Sequence, residues 1–308
     1  MSWNAYELTY RARAPVLLGA QPLGFIQRTR YLAPGWTLWG AITAQLARAR
    51  LDCRAPADET PIASYYQQVG DFVAINVLTS YAAILTEGEP ALPHFVQGEW
   101  HYGALSQAAF EARYLTSLGG TAVAPATSTA EVGALRETEA LSARDRLTGE
   151  PVRWRFTLYL RHPWRDPPSI VRDLSEPDLL AVLEHLMLGA DRGYGLGWLE
   201  RESVTESTTA HGDAWPRPLG WEPGQPLQAH VPLSHLANLS VRGSVETIPR
   251  RWWSNLADDK TSDGVGPGQR LRTEWLYTPG SLVEDANWRP VIGQRGVWMR
   301  EEAHDAAR

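Results

Sequence analysis

Gly189-Ala190-Asp191-Arg192-Gly193-Tyr194-Gly195-Leu196-Gly197 is the stretch that decides how this chain folds. Its four glycines free the backbone to take positive φ and let another backbone approach closely. An apolar helical segment precedes it and a strand-like segment follows, so it marks a helix-to-strand turn carrying a guanidinium and a phenol ring. That combination suits a phosphodiester chain with stackable bases better than a small metabolite. The alternative is a tight turn whose glycines serve geometry alone.

Upstream of the turn, Ser175-Glu176-Pro177-Asp178 has the form of a helix start, with Ser as the cap, Pro in the first turn and an acid three residues on. Leu179, Leu180, Val182, Leu183, Leu186 and Met187 make the apolar stripe of a helix expected to run into the glycine-rich turn. Residues 198–205 read as a closing strand. Further upstream, Val152, Trp154, Phe156, Leu158 and Leu160 alternate with Arg153, Arg155, Thr157 and Tyr159. This is a central strand with one core face and one face available to solvent or to RNA. A second strand is expected at 135–143, joined to the first by Arg144-Asp145-Arg146-Leu147-Thr148-Gly149.

Near the start, Tyr6, Leu8, Tyr10 and Ala12 alternate with polar neighbours, predicting a half-buried strand over 6–13. A loop carrying Arg28 and Arg30 follows, then a Pro34-Gly35 turn. A helix is expected over 37–50, with Leu38, Ile42 and Leu46 on one face and Arg48 and Arg50 at its C-terminal end, where cations suit the helix dipole. The run 72–78 reads as a buried strand, and 119–133 has the Gly, Ala, Thr and Ser content of a mobile loop.

The order is strand, helix, strand, strand, helix, strand. It predicts an α+β chain with a ferredoxin-like (RRM-like) βαββαβ domain over 1–211, interrupted by an insertion at 52–134. Beyond His211 a Pro-, Gly- and Trp-rich segment leads to strand-like pieces at 227–233, 239–247, 271–277 and 296–300. Residues 212–308 are therefore expected to form a mainly β C-terminal region.

The bulk composition narrows the function. The chain has 308 residues, of which 44% are hydrophobic, enough for a real core. Its net charge of −6 excludes a protein that coats nucleic acid by charge alone. Lys260 is the only lysine among 29 basic residues. Arginine grips phosphate bidentately and stacks on bases, although arginine-favouring codon use explains the same bias. Fourteen tryptophans offer core mass, stacking platforms or interface anchors. A single cysteine, Cys53, excludes an internal disulfide and a multi-thiolate zinc site. No apolar run is long enough to span a bilayer, and the start lacks a basic segment followed by an apolar one, so a cytoplasmic protein with no membrane partner is expected.

There is no P-loop, dinucleotide fingerprint or nucleophile elbow. Asp258, Asp259 and Asp263 read as a solvated loop, and neither a metal nor a cofactor is expected. Arg250-Arg251-Trp252-Trp253 fits either nucleotide stacking or an interface hot spot, with the interface slightly favoured.

With these segments in place, the chain resembles the RAMP superfamily, the ferredoxin-like RNA-binding subunits of CRISPR effector complexes. Tyr31-Leu32-Ala33-Pro34-Gly35-Trp36-Thr37-Leu38-Trp39-Gly40-Ala41 is similar to the family's strand-turn-helix signature "IPGSSLRGAL". Leu188 to Gly197 resembles its glycine-rich loop "GxxxxRGYGxG", and residues 144–149 resemble the "D-x-x-T-G" element of type III members. Trp36-Thr37 stand where the family has Ser-Ser, and Trp39 where it has Arg or Lys, which suggests an aromatic platform or a protein interface at that turn. The likeness spans roughly residues 6–205 and is weak beyond.

The resemblance implies a choice of roles. Backbone subunits that cut target RNA carry an aspartate in the first loop, but this chain has no acid between Arg13 and Arg50. Guide-processing endoribonucleases commonly use a histidine there, and none of the eight histidines falls in that loop or helix. The role implied is therefore a non-catalytic subunit of a type III-like effector, gripping the 5′ repeat-derived handle of the guide RNA and capping the assembly in antiviral defence. Its partners would be the guide RNA, the backbone and large subunits, and target RNA or DNA indirectly. The RNA-binding residues expected are Gly189, Asp191, Arg192, Gly193, Tyr194, Gly195 and Gly197, extended by Arg28, Arg30, Trp36, Arg144 and Arg146. A RAMP-type endoribonuclease and a pure assembly adaptor are the rival expectations.

Overall fold

Two-sided strands set the layout of this chain, because a strand apolar on both faces must lie between two cores. The computed structural model describes residues 2–20, 22–51, 62–211, 215–252 and 270–301. Cys53, Lys260 and the Asp258, Asp259 and Asp263 group lie outside them, as does Trp253. The same is true of the side chains of Arg250, Arg251 and Trp252.

The main elements are β1 (Ser2–Ala12), α1 (Gly35–Leu51), α2 (Ile62–Asn76), β2 (Val77–Thr79), β3 (Ala82–Thr86), α3 (Gln107–Tyr114), β4 (Leu115–Gly120), β5 (Arg136–Leu141) and β6 (Arg153–His162). They continue with α4 (Glu176–Val182), β7 (His185–Met187), β8 (Trp198–His211), β9 (Val245–Trp252) and β10 (Arg270–Tyr277). The chain is thus a mixed α+β protein. In its largest sheet the strand order is β7-β8-β1-β6-β3 and then Leu32–Ala33, with β2 also pairing β6. All these pairings are antiparallel. Leu8 lies opposite Phe156 on one side and opposite Val204 on the other, so β1 sits inside the sheet.

One face of the sheet holds Leu8, Tyr10, Trp154, Phe156, Leu158 and Leu160, packed against Leu38, Ile42 and Leu46 of α1 and Val69, Phe72 and Val73 of α2. The other face carries Trp3, Ala5, Leu78, Tyr81 and Tyr159, which share a second core with Trp221, Val231, Trp288, Ile292 and Trp298 of the C-terminal region. Trp221 meets Trp288 and Trp298 edge-on, at centroid distances of 5.6 and 5.4 Å. The C-terminal residues thus roof the second face at that end, and several of the tryptophans are core.

Several sequence-based expectations need correction. The run 72–78 is not a strand: it is the end of α2, and only Val77–Thr79 is extended. A short apolar run suits a buried helix as well as a buried strand, and Val69, Phe72 and Val73 recur at helical spacing against α1. The strand expected at 135–143 forms, as β5, but outside the main sheet, where it joins β4 and the short strand Ile26–Gln27. Beside β6 its expected place is taken by β2 and β3.

The helix capped by Ser175 has the full capping box but stops at Val182. Leu186 then pairs with Leu199 in a strand, so the apolar stripe is buried first by a helix and then by a sheet edge. Within 119–133, expected as a loop, Val123–Ala124 and Thr129–Ala130 form a hairpin. Tyr159, expected on the open face, is fully buried, and its hydroxyl accepts from Leu219 N–H at 3.3 Å. The strand expected at 227–233 narrows to Val231–Pro232 before a 3-10 turn. Among the described residues, no helix is long and apolar enough to cross a membrane.

Candidate RNA interface

The glycine-rich bend is built from two kinds of glycine. Gly189 has φ +89° and lies so close to the Leu17 carbonyl that a Cβ would come within 2.1 Å of it. Gly197 has φ +82°, and its Cβ would come within 2.0 Å of the Leu188 carbonyl. Gly189 lets the bend lie on the backbone of the first loop and Gly197 lets its neck close against Leu188, with Ala190 N–H donating to Leu17 O at 2.9 Å and Gly197 N–H to Pro15 O at 2.8 Å. Gly193 and Gly195 have nothing within 4 Å of a built Cβ. Only Gly195 of that pair needs positive φ, at +85°.

Between these anchors the chain stands out from the fold. Residues 192–194 make one 3-10 turn, closed by Tyr194 N–H to Asp191 O at 2.9 Å. Arg192, Gly193, Tyr194 and Gly195 are all exposed, with Tyr194 at 77%. Arg192 has no carboxylate partner among the described residues. Asp191 is half-buried and held at φ +53°, an unusual conformation for a residue with a Cβ. The Arg136 guanidinium lies 5.7 Å from the centroid of the Tyr194 ring.

The other predicted residues fall into separate places. Arg28 lies 3.6 Å from Glu139. Arg30 makes two bonds of 2.8 Å to Glu246. Both arginines line a cavity of about 410 Å³ shared with Trp100, Tyr102, His230 and Glu246. Trp36 is half-buried on the Tyr81 and His230 rings, at 5.8 and 5.1 Å. Trp39 donates to Gly70 O at 3.0 Å and lies under Arg295 at 4.5 Å. Arg144 and Arg146 are exposed and donate to the Gly149 and Leu115 carbonyls, each at 2.9 Å. Between them Asp145 is buried, bound by Arg113 and by the N–H groups of Leu147 and Thr148. Burial pushes the Asp145 carboxyl up, and those donors outweigh it and hold it below its ordinary range.

Electrostatics separate these groups. On the outer face of the sheet, Arg11 pairs with Glu200, Arg153 with Glu202 and Arg155 with Glu7. That face is an ion-pair lattice, so its arginines offer little net positive potential. Glu246 is also paired with His230, whose other ring nitrogen lies 2.8 Å from the Tyr81 hydroxyl. Burial raises the Glu246 pKa, but hydrogen bonds from His230 and Arg30 prevail and hold it at about 2. An ionised Glu246 accepts from His230 Nε2–H, and a neutral imidazole then has Nδ1 as the acceptor for the Tyr81 hydroxyl.

Sequence reasoning missed two residues at the bend. Arg136 sits in a predicted strand and Phe25 in a predicted loop, and only the pairing of Ile26 with Glu137 carries both to the bend.

No protein-family model matches the chain, and no curated protein matches it. Among solved structures, it is similar to a chain of the Type III-B Cmr-beta complex bound to cognate target RNA and AMPPnP, with a TM-score of 0.49 and 11% identity over 90% of this chain and 85% of that one. It is also similar to a chain of a Type IV-B CRISPR complex, with a TM-score of 0.38 and 12% identity over 70% of this chain and 95% of that one.

Proposed function

We propose that this chain is a non-catalytic RNA-binding subunit of a type III-like CRISPR ribonucleoprotein effector, which grips the 5′ repeat-derived handle of the guide and caps the assembly. The observation that carries the reading is the bend itself. Gly189 and Gly197 clamp it to the first loop, and Arg192 and Tyr194 are thereby presented to solvent on a side-chain-poor turn. A ribonucleotide strand can approach such a backbone closely, with phosphate on the guanidinium and a base on the ring. The order β8-β1-β6-β3 supports a ferredoxin-like reading of the sheet, and with it the RAMP resemblance. Titrating the purified chain with labelled repeat-derived RNA tests the reading. Binding that fails for wild type, or is unchanged in Arg192→Ala, sinks it.

One observation favours RNA cleavage as a second reading. Tyr81, His230 and Glu246 are hydrogen-bonded in series at the wall of the 410 Å³ cavity, an arrangement suited to proton transfer. Incubating labelled repeat RNA with the wild type and with His230→Ala, with and without a divalent metal, separates the two. The non-catalytic reading expects intact RNA in every lane.

A further inference from the structure

A groove of about 460 Å³ adjoins the bend, lined by Pro22, Phe25, Ile26, Arg136, Ala190 and Asp191 among others. We propose that it is a nucleobase site, in which one base of a single-stranded RNA stacks on Phe25 while the adjoining phosphates lie on Arg136 and Arg192. The proposal rests on the RNA-binding reading of the bend and extends it to a second, separately testable surface.

Three observations converge on this occupant. First, charge is available here and not elsewhere along the first loop. Arg11, Arg13, Arg28 and Arg30 all face carboxylates, whereas Arg136 and Arg192 have no acidic partner among the described residues. A polyanion gains most where cations are not already neutralised.

Second, the rim is aromatic and exposed. Phe25 is 59% and Tyr194 77% exposed, and the Arg136 guanidinium lies against the Tyr194 ring. Phe25 stands on a tight turn closed by reciprocal bonds between Leu23 and Ile26, at 2.9 and 3.0 Å, and this turn displays the ring. Aromatic rings beside arginines form a stacking platform for single-stranded nucleic acid. The groove volume is of single-ligand size and is small for a docked helix.

Third, the one carboxylate in the groove orients the ligand. Asp191 repels phosphate from its end, so the backbone runs along the arginines and the neutral base enters the groove. A carboxylate accepts N–H donors. Uracil carries its donor at N3 and a carbonyl at position 4, where cytosine has an exocyclic amino group, so a carboxylate that meets position 4 should favour cytosine over uracil, a base of the same size.

Fluorescence anisotropy of the full chain with labelled octacytidylate and octauridylate tests the site. Phe25→Ala should weaken octacytidylate binding about 10-fold with an unchanged melting temperature, since the ring is exposed. Arg136→Gln should weaken binding and lower the salt slope by about 0.7. Asp191→Asn, which tolerates positive φ, should erase the preference for cytidine. Photo-crosslinking of a 5-iodocytidine octamer should place the adduct on Phe25 or Tyr194. If Arg192→Ala loses RNA while Phe25→Ala binds like wild type and the adduct maps elsewhere, the groove is no base site and Phe25 is left for a protein neighbour. A wild type that binds repeat-derived RNA but neither octamer overturns this site alone, and one that binds none of the three overturns the RNA reading with it.

Discussion

Arg30 holds Glu246 through two N–H···O bonds of 2.8 Å, although 216 residues separate them in the chain. The same carboxylate binds His230, so one acid ties the hairpin of the first loop to the C-terminal region that roofs the sheet. Arg30, read from the sequence as a phosphate ligand, is therefore engaged within the fold.

That pair predicts acid sensitivity. The Glu246 pKa is lowered on folding from the usual value of 4.5 to about 2. Its contribution is therefore present above about pH 4.5 and is lost as pH falls toward 2. After allowance for partial solvent screening it amounts to roughly 1–2 kcal/mol. Glu246→Gln should lower the melting temperature at pH 7 and flatten its dependence between pH 5 and pH 2. A variant that melts like the wild type at neutral pH would show the clamp to be idle.

The glycines of the bend should split into two classes. Gly189→Ala and Gly197→Ala drive a Cβ into a carbonyl at φ near +85° and should each cost about 2 kcal/mol or more. Gly193→Ala meets nothing and has no positive φ, so its melting temperature should stay within about a degree of wild type. Equal losses for all three in differential scanning fluorimetry would contradict the clamp-and-display geometry.

Arg192→Ala should leave stability unchanged because the side chain is exposed. It should weaken RNA binding and reduce the slope of log affinity against log salt by about 0.7, as expected for one lost phosphate contact on a single strand. An affinity loss that is independent of salt would point to a contact other than phosphate.

Asp145→Ala should be destabilising. It removes the one buried acceptor that holds Arg113 and the Leu147 and Thr148 N–H groups, but on an exposed turn where water can replace it, so the cost should be about 1–2 kcal/mol. Chemical denaturation measures this directly. The D-x-x-T-G likeness thus marks a residue that shapes the turn, and the exposed Arg144 and Arg146 are what the turn displays.

What was legible in the sequence was whatever repeats at short range. Strict alternation marked β1 and β6, the Ser175 cap marked the start of α4, and glycine spacing marked the bend, because each is set by neighbours within a few residues. The run 72–78 satisfies either periodicity, because it is apolar throughout except at Asn76. Only its packing against α1 selects the helix. Tertiary structure alone decided which arginines are neutralised. Arg30 meets Glu246 and Arg11 meets Glu200 across long stretches of chain, while Arg136 arrives beside Tyr194 with no ion-pair partner among the described residues. Free positive charge is a property of the whole assembled surface, so it cannot be read from the order of residues along the chain.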